Sequence, residues 1–466
     1  MHAFDLVVIG SGPAGQRAAI QAAKVGKKVA VVERQAVVGG VCINTGTVPS
    51  KTLREAVLDL SGIRQRAYYG DAYRTKSDIG MQDLLVRAES VIKKERDVIR
   101  AQLLRNNVAI FQGCGSFDGP NTIVVENEVD RHQLGAPFIV IAVGTRPGMP
   151  DGLAVDHKTV LASDDLLNMP RLPRNMVVVG AGIIGLEYAT IFGAIGVNVT
   201  LVDKRTELLD MVDREIVDAL IFHARNRGVI LRLGEEVDHL EQSGDGRDRA
   251  VVMKSGKRIA AEMVLISAGR VGATKDLALE KAGLSADARG RIEVNGHYQT
   301  RVPNIYAVGD VVGFPALAST SMEQGRLAAC HAFGVPATTL PELYPFGIYA
   351  IPEIAWVGAT EASLTARGVP YETGVARYKE IARGNILGDP DGMLKLIFHL
   401  ETRRILGVWG LGTQATELVH VGQAVMAHDG TLDYFVRSVF NYPTLAECYK
   451  VAALDGMNKL RGVSFT

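Results

Sequence analysis

Apolar residues in this chain fall into two textures. Some form short unbroken runs of Val, Ile and Leu; others recur every three or four positions with charges between them. The first texture predicts buried strands and the second amphipathic helices. Val7-Val8-Ile9 reads as a strand, followed by a glycine-rich turn, an Ala- and Ile-rich helical stretch and a second apolar run ending on Glu33. The same order returns at Val177-Val178-Val179, where the second run, Val199-Thr200-Leu201-Val202, ends on Asp203. Helices are predicted over 51–66 and 83–107, the latter with Leu84, Leu85, Val91, Ile92, Val98, Ile99 and Leu103 at helical spacing. Residues 138–145 predict a buried strand ending in a turn, and 263–270 close the second unit, which begins at 174. The run 304–310 predicts a return to the first unit, which is therefore discontinuous. Three β-runs (348–357, 393–399, 405–411) and helices over 414–428 and 444–460 form a C-terminal segment.

The two turns repeat one another. Gly10-Ser11-Gly12-Pro13-Ala14-Gly15 leads to Glu33, and Gly180-Ala181-Gly182-Ile183-Ile184-Gly185 leads to Asp203 after the same number of residues. Gly10 and Gly180 permit the tight turn. Gly12 and Gly182 carry no Cβ, so a pyrophosphate can approach the backbone; Gly15 and Gly185 let helix and strand pack closely. An anion is favoured at the helix N-terminus, and the acid accepts hydrogen bonds from ribose hydroxyls. Taken singly, each turn also reads as a plain βαβ crossover with a glycine-rich bend. Two matches in the right context predict two dinucleotides held at once, an arrangement for passing a hydride. The expected architecture is α/β: two Rossmann-like nucleotide-binding domains, one spanning 1–150 and 271–344 and the other 151–270, plus an α+β C-terminal domain over 345–466. Proline clusters at 147–150 and 170–173 read as linker.

Composition narrows the field. A chain of 466 residues exceeds one core and implies about three domains or more. Lys and Arg total 51, as do Asp and Glu, so nothing electrostatic argues for nucleic acid or an anionic membrane as partner. The four cysteines, Cys42, Cys114, Cys330 and Cys448, form no close pair, which argues against a disulfide framework and against a metal site. No uncharged apolar run reaches the ~18 residues of a spanning helix. The first strand begins by about Leu6, leaving no room for a signal peptide. A cytoplasmic protein is expected.

Three further segments carry a family resemblance. Gly39-Gly40-Val41-Cys42-Ile43-Asn44-Thr45-Gly46-Thr47-Val48-Pro49-Ser50-Lys51 resembles the segment that holds the redox disulfide in the flavoprotein disulfide reductases. Ile305-Tyr306-Ala307-Val308-Gly309-Asp310 resembles their second flavin motif, and Asn441-Tyr442-Pro443-Thr444-Leu445-Ala446-Glu447 the segment carrying their acid/base His. The resemblance covers essentially the whole chain. It implies FAD at the first turn, NAD(H) and NADP(H) as substrates at the second, and a C-terminal interface making a homodimer or higher homo-oligomer. It assigns Gly40, Cys42, Thr47, Lys51, Gly115 and Gly144 to the flavin site, with Thr145, Asp310, Leu317 and Ala318. It assigns Gly269, Ile183 and Glu187 to the nicotinamide side. Ile183 stands where some relatives have a gating Tyr. Lys51 is implied near flavin N5, paired with Glu187, as a catalytic cation; read alone, the two are an ordinary surface lysine and helix-face glutamate.

Two departures change the implied chemistry. The family's second redox Cys is Thr47 here, and a lone Cys42 cannot form the internal disulfide. The acid/base His is Tyr442, whose phenol, with a reference pKa of about 10, is a poor base near neutral pH. Within the family this combination resembles the soluble enzymes that exchange hydride between nicotinamide nucleotides. The implied reaction is NADPH + NAD⁺ ⇌ NADP⁺ + NADH, ping-pong through FAD and of the Si-specific type. Asp203 suits the ribose hydroxyls of NAD(H), and Lys204 or Arg205 the 2′-phosphate of NADP(H), unless the three are only an exposed charged loop. Cys42 reads either as a reactive thiol or as a half-buried structural one. Cys448 reads as a replacement thiol from the partner subunit or as a helix-facing spectator. Tyr442 either bonds Glu447, the remaining catalytic candidate, or fills the space of the His. A quinone or dye reductase on the same scaffold is the alternative activity. A non-catalytic flavin-binding protein is disfavoured because Lys51, Glu187, Asp310 and both turns are all present.

Overall fold

The computed structural model describes residues 2–73, 79–150, 152–242, 249–338 and 343–461. The fold is mixed α/β, as the periodicity predicts. Leu6–Ile9, buried at every position, is the middle strand of a five-stranded parallel sheet. Its order is Ile305–Ala307, Phe138–Ile141, Leu6–Ile9, Val29–Glu33, Ala109–Gln112. A strand covered on both faces needs an unbroken apolar run rather than alternation, which is the texture read from the sequence. The late strand Ile305–Ala307 joins this sheet in parallel with Phe138–Ile141, so the chain does return to its first unit.

The second parallel sheet also has five strands: Val160–Ala162, Met263–Ile266, Asn175–Val179, Asn198–Asp203 and Ile230–Leu233. Leu6–Ile9 and Asn175–Val179 each run into a glycine turn and then a helix, Pro13–Lys24 in one sheet and Ile183–Ala194 in the other. The helix Ala318–Ala332 lies against Pro13–Lys24 because Gly325 has no side chain. A Cβ there would sit 2.0 Å from the Ala14 carbonyl oxygen. The C-terminal segment is an antiparallel sheet ordered Phe346–Ile348, Ile354–Gly358, Ile405–Leu411, Met393–His399, Tyr371–Arg377. Helices Ala415–Ala427 and Glu447–Arg461 pack on it.

Several boundaries differ from the expected ones. The strand expected over 138–145 stops at Ile141; Gly144, at φ +63°, turns the chain, and Thr145–Pro147 pairs antiparallel with Arg270–Gly272. A stretch expected to begin a linker is thus hydrogen-bonded to the segment that follows the second sheet's strand Met263–Ile266, as a separate two-stranded sheet. The helix expected at 51–66 begins earlier, at Thr47, and ends at Ser61, where Gly62 turns left-handed at φ +61° before a further turn of helix, Ile63–Tyr69. The earlier start places Thr47 and Lys51 one helical turn apart on the same face.

A buried ion cluster ties the second sheet to the C-terminal one. The Lys395 ammonium contacts Asp213 (2.8 Å), Glu215 (3.1 Å) and Glu361. Burial pulls this lysine down, and its carboxylate partners more than restore it, so it stays charged. These three acids are close enough to hold a cation, and the ammonium occupies that position. Among the described residues, no helix is long and apolar enough to cross a membrane.

Candidate active site

The carboxyl ends of both parallel sheets open on one cleft of about 1990 Å³. Gly10, Gly12, Gly180 and Gly182 line it, as do Glu33 and Asp203. Neither Gly12 nor Gly182 has any atom within 4 Å of where a Cβ would stand, and neither N-cap is closed by a side chain. Each helix therefore presents unpaired N–H groups to open space, the property an anion needs. Gly15 and Gly185 sit behind the turns. A Cβ on them would meet the carbonyl oxygens of Gly10 and Gly180 at 2.0 and 1.9 Å.

The helix Thr47–Ser61 carries Lys51 to the junction between the sheets. Its ammonium donates to both oxygens of Glu187, at 2.9 and 2.7 Å, and the carboxylate is buried. Glu187 also accepts the Tyr349 backbone N–H at 2.8 Å, while the Lys51 ammonium lies 5.0 Å from the Tyr349 ring centre. Three chain segments thus fix one cation at the cleft wall, through charge-assisted hydrogen bonds and a cation–π contact. Lys51 and Glu187 are therefore paired rather than standing apart on the surface.

Cys42 and Thr47 line the same cleft, and Cys42 is a free thiol. Burial pushes the Cys42 thiol up, with the Thr47 hydroxyl and Lys51 pulling less strongly the other way. The group stays protonated at neutral pH, which makes it a poor nucleophile. Asp310 is also raised by burial, opposed by Arg270, and accepts a hydrogen bond from Ser321 at 3.4 Å. Gly40, Gly115, Gly144, Thr145, Leu317 and Ala318 share this cleft; so do Ile183, Lys204, Arg205 and Gly269.

Residues 4–325 match the pyridine nucleotide-disulphide oxidoreductase family, and residues 344–453 match that family's dimerisation domain. The chain belongs to the pyridine nucleotide-disulphide oxidoreductases. A soluble pyridine nucleotide transhydrogenase of Mycobacterium tuberculosis is 55% identical over 466 residues, 100% of this chain and 99% of that one. A protein of the same name from Yersinia enterocolitica is 45% identical over 462 residues, 98% of each chain. Among solved structures, the flavoprotein disulfide reductase RclA of Escherichia coli superposes with a TM-score of 0.88 at 25% identity, covering 97% of this chain and 99% of that one. LpdA of Mycobacterium tuberculosis shares the fold, with a TM-score of 0.89 at 24% identity over 97% of this chain and 99% of its own.

Membership in this family sharpens what the structure leaves out of the cleft. Tyr442 is 67% exposed and does not line it, and neither does Glu447. The hydrogen bond considered between these two is not formed: Glu447 Oε2 is buried without a partner. Cys448 is fully buried, and burial, reinforced by Glu447, pushes its thiol up to about 12. It packs in the C-terminal core and does not line the cleft. Within one subunit of this oxidoreductase, then, Lys51, Glu187, Cys42 and Thr47 meet, and Tyr442 and Glu447 stand apart.

Three residues of the site were not singled out by the sequence. Ser11 holds Glu33, donating from its N–H at 3.1 Å and its hydroxyl at 2.5 Å. Its position between two turn glycines was the available signal. Arg270 joins Thr145 (Nε to Oγ1, 2.8 Å) to Asp164 (2.9 Å), bridging the two nucleotide units. Tyr349 reaches Glu187 from the C-terminal segment, a contact across 162 positions that no local pattern encodes.

Proposed function

We infer that this chain is a soluble pyridine nucleotide transhydrogenase that exchanges hydride between NADPH and NAD⁺ in either direction. One observation carries the reading: two complete dinucleotide turns open on a single cleft whose redox position holds one free thiol and a threonine. Its relatives' names, the 55% identity above all, support it. FAD fits the first turn, where the cradle at Gly12 is open and the helix N-terminus uncapped. When bound, it supplies the two-electron store between one nicotinamide nucleotide and the next.

The residues divide the remaining work. Glu33 would hold the flavin adenosine ribose and Asp310 the ribitol. Lys51, fixed by Glu187 and Tyr349, would keep a positive charge where reduction makes the flavin anionic. Gly180, Gly182 and the N-terminus of Ile183–Ala194 would bind the nicotinamide nucleotide's pyrophosphate, with Ile183 leaving access ungated. Asp203 would take the ribose hydroxyls of NAD(H), with Arg205 and Lys204 facing the 2′-phosphate of NADP(H). We assign 1–150 with 271–344 to the FAD unit, 151–270 to the NAD(P) unit and 345–466 to dimerisation. The working form would be a homodimer in the cytoplasm, acting with Si specificity. Because the 2′-phosphate is remote from the reacting ring, the exchange is close to thermoneutral and follows the nucleotide ratios.

The test is to mix the FAD-loaded protein with NADPH and thio-NAD⁺ and follow the reduced thio-analogue. Rapid formation is expected, with no comparable turnover of lipoamide, glutathione disulfide or Hg(II). Quinone turnover far exceeding thio-NAD⁺ turnover would replace this reading with a quinone reductase.

A further inference from the structure

The side chain expected to face a 2′-phosphate is already engaged, and with the acid expected to face the ribose hydroxyls. Arg205 donates to Asp203 through Nε (3.0 Å to Oδ1) and Nη2 (2.7 Å to Oδ2). Its backbone N–H adds a third bond to Oδ1 at 2.8 Å, and Ala181 N–H a fourth, to Oδ2, at 2.6 Å. A carboxylate offers about four acceptor sites. All of those on Asp203 are therefore filled, two of them by the guanidinium. A ribose 2′,3′-diol, which donates two hydrogen bonds, finds no free acceptor until the guanidinium leaves. The guanidinium in turn keeps its remaining N–H groups, and Asp203 neutralises its charge.

The backbone around the pair is fixed while the arginine side chain is not. The carbonyls of Asp203 and Arg205 accept from Glu235 N–H (3.1 Å) and Gly234 N–H (2.9 Å). Asp203 is 8% exposed at its side chain and Arg205 47%. The element with room to move is the guanidinium.

We propose that Asp203 and Arg205 form a two-state specificity switch. Closed, the paired site presents the outer N–H edge of Arg205, with Lys204 beside it in sequence, and takes a 2′-phosphate. Opened, it presents two acceptor positions on Asp203 and takes a free diol. Either nucleotide is admitted in turn, and neither is bound as tightly as in a site built for it alone. The proposal rests on the reading of this turn as the nicotinamide nucleotide site.

The test uses the FAD-loaded enzyme and ligands without a nicotinamide: ADP-ribose and its 2′-phosphate, titrated calorimetrically. Arg205→Gln is expected to tighten ADP-ribose by about threefold or more, because no pair must be broken, and to weaken the phosphorylated ligand by about tenfold or more. Asp203→Asn is expected to weaken ADP-ribose while holding or tightening the 2′-phosphate. The switch is overturned if Arg205→Gln leaves ADP-ribose unchanged or weakened, or if both ligands weaken alike in both variants. Thio-NAD⁺ exchange by the wild type reports separately on the activity. A protein failing that assay can still show the switch, and an active one can lack it.

Discussion

The first and second turns carry the same glycines at the same spacing and hold their acids by matching backbone N–H groups, yet the side chains that complete the two sets of bonds differ. Glu33 is locked by its own turn: Ser11 donates twice to Oε2, Gln35 N–H donates to Oε1 at 2.9 Å, and the Ser11 hydroxyl also accepts from Gly39 N–H at 2.9 Å. That last bond fastens the turn to the segment carrying Cys42, and Gly40 presses so close that a Cβ there would lie 2.8 Å from the Gly12 Cα. The position of Ser11 is Ala181 in the second turn; its N–H still donates to Asp203 at 2.6 Å but it has no hydroxyl, and the exposed Arg205 side chain supplies two further bonds. The first turn is fastened to the neighbouring segment through a hydroxyl, as retention of a cofactor requires. The acid of the second turn is paired with an exposed side chain, as exchange of a substrate requires. A motif thus specifies the pyrophosphate geometry and leaves residence time to its neighbours.

The largest expected effect comes from closing each turn in turn. Gly15→Ala forces a methyl against the Gly10 carbonyl and should strip FAD and activity together. Gly185→Ala does the same at Gly180, with Ser267 Oγ also at 2.5 Å, and should leave a yellow, FAD-containing protein with exchange down by about 100-fold or more. Flavin absorbance after gel filtration, alongside thio-NAD⁺ exchange, checks both. Loss of FAD from Gly185→Ala would erase the contrast between the turns. A smaller change is expected for Ser11→Ala, which removes a hydrogen bond to a buried carboxylate worth about 1.5–3 kcal/mol. FAD should dissociate about tenfold faster or more, with nucleotide affinity at the second turn unaltered.

The smallest effect is a flat one. Burial raises the Asp203 carboxyl, but hydrogen bonds from Arg205 and Ala181 outweigh it and hold the group below its ordinary range. A depressed carboxyl keeps its ion pair at all pH values above that range and loses it only in acid. The preference between NADH and NADPH should therefore be constant above pH ~7, where a phosphate monoester, with its second pKa near 6, is also fully charged. A step in that preference between pH ~7 and ~9 would mean that another group controls the site.

Much of this was legible in the chain because it is local. In each unit the turn, its acid and the flanking apolar runs lie within about thirty residues, and two absent groups, a second cysteine and a histidine, showed as Thr47 and Tyr442. What was not legible depends on distant parts meeting. The pairing of Thr145–Pro147 with Arg270–Gly272 and the reach of Tyr349 to Glu187 come from sheet packing, not spacing. Arg205 is instructive because its partner is only two residues away. The sequence placed both charges, but not the folding of the guanidinium back onto Asp203.

The central claim is that one exchange site serves both nucleotides. It is tested most directly by steady-state kinetics with NADPH varied at several fixed thio-NAD⁺ concentrations. Parallel double-reciprocal lines are predicted, since the first product must leave before the second nucleotide enters. Intersecting lines would require both nucleotides bound together and would contradict the account.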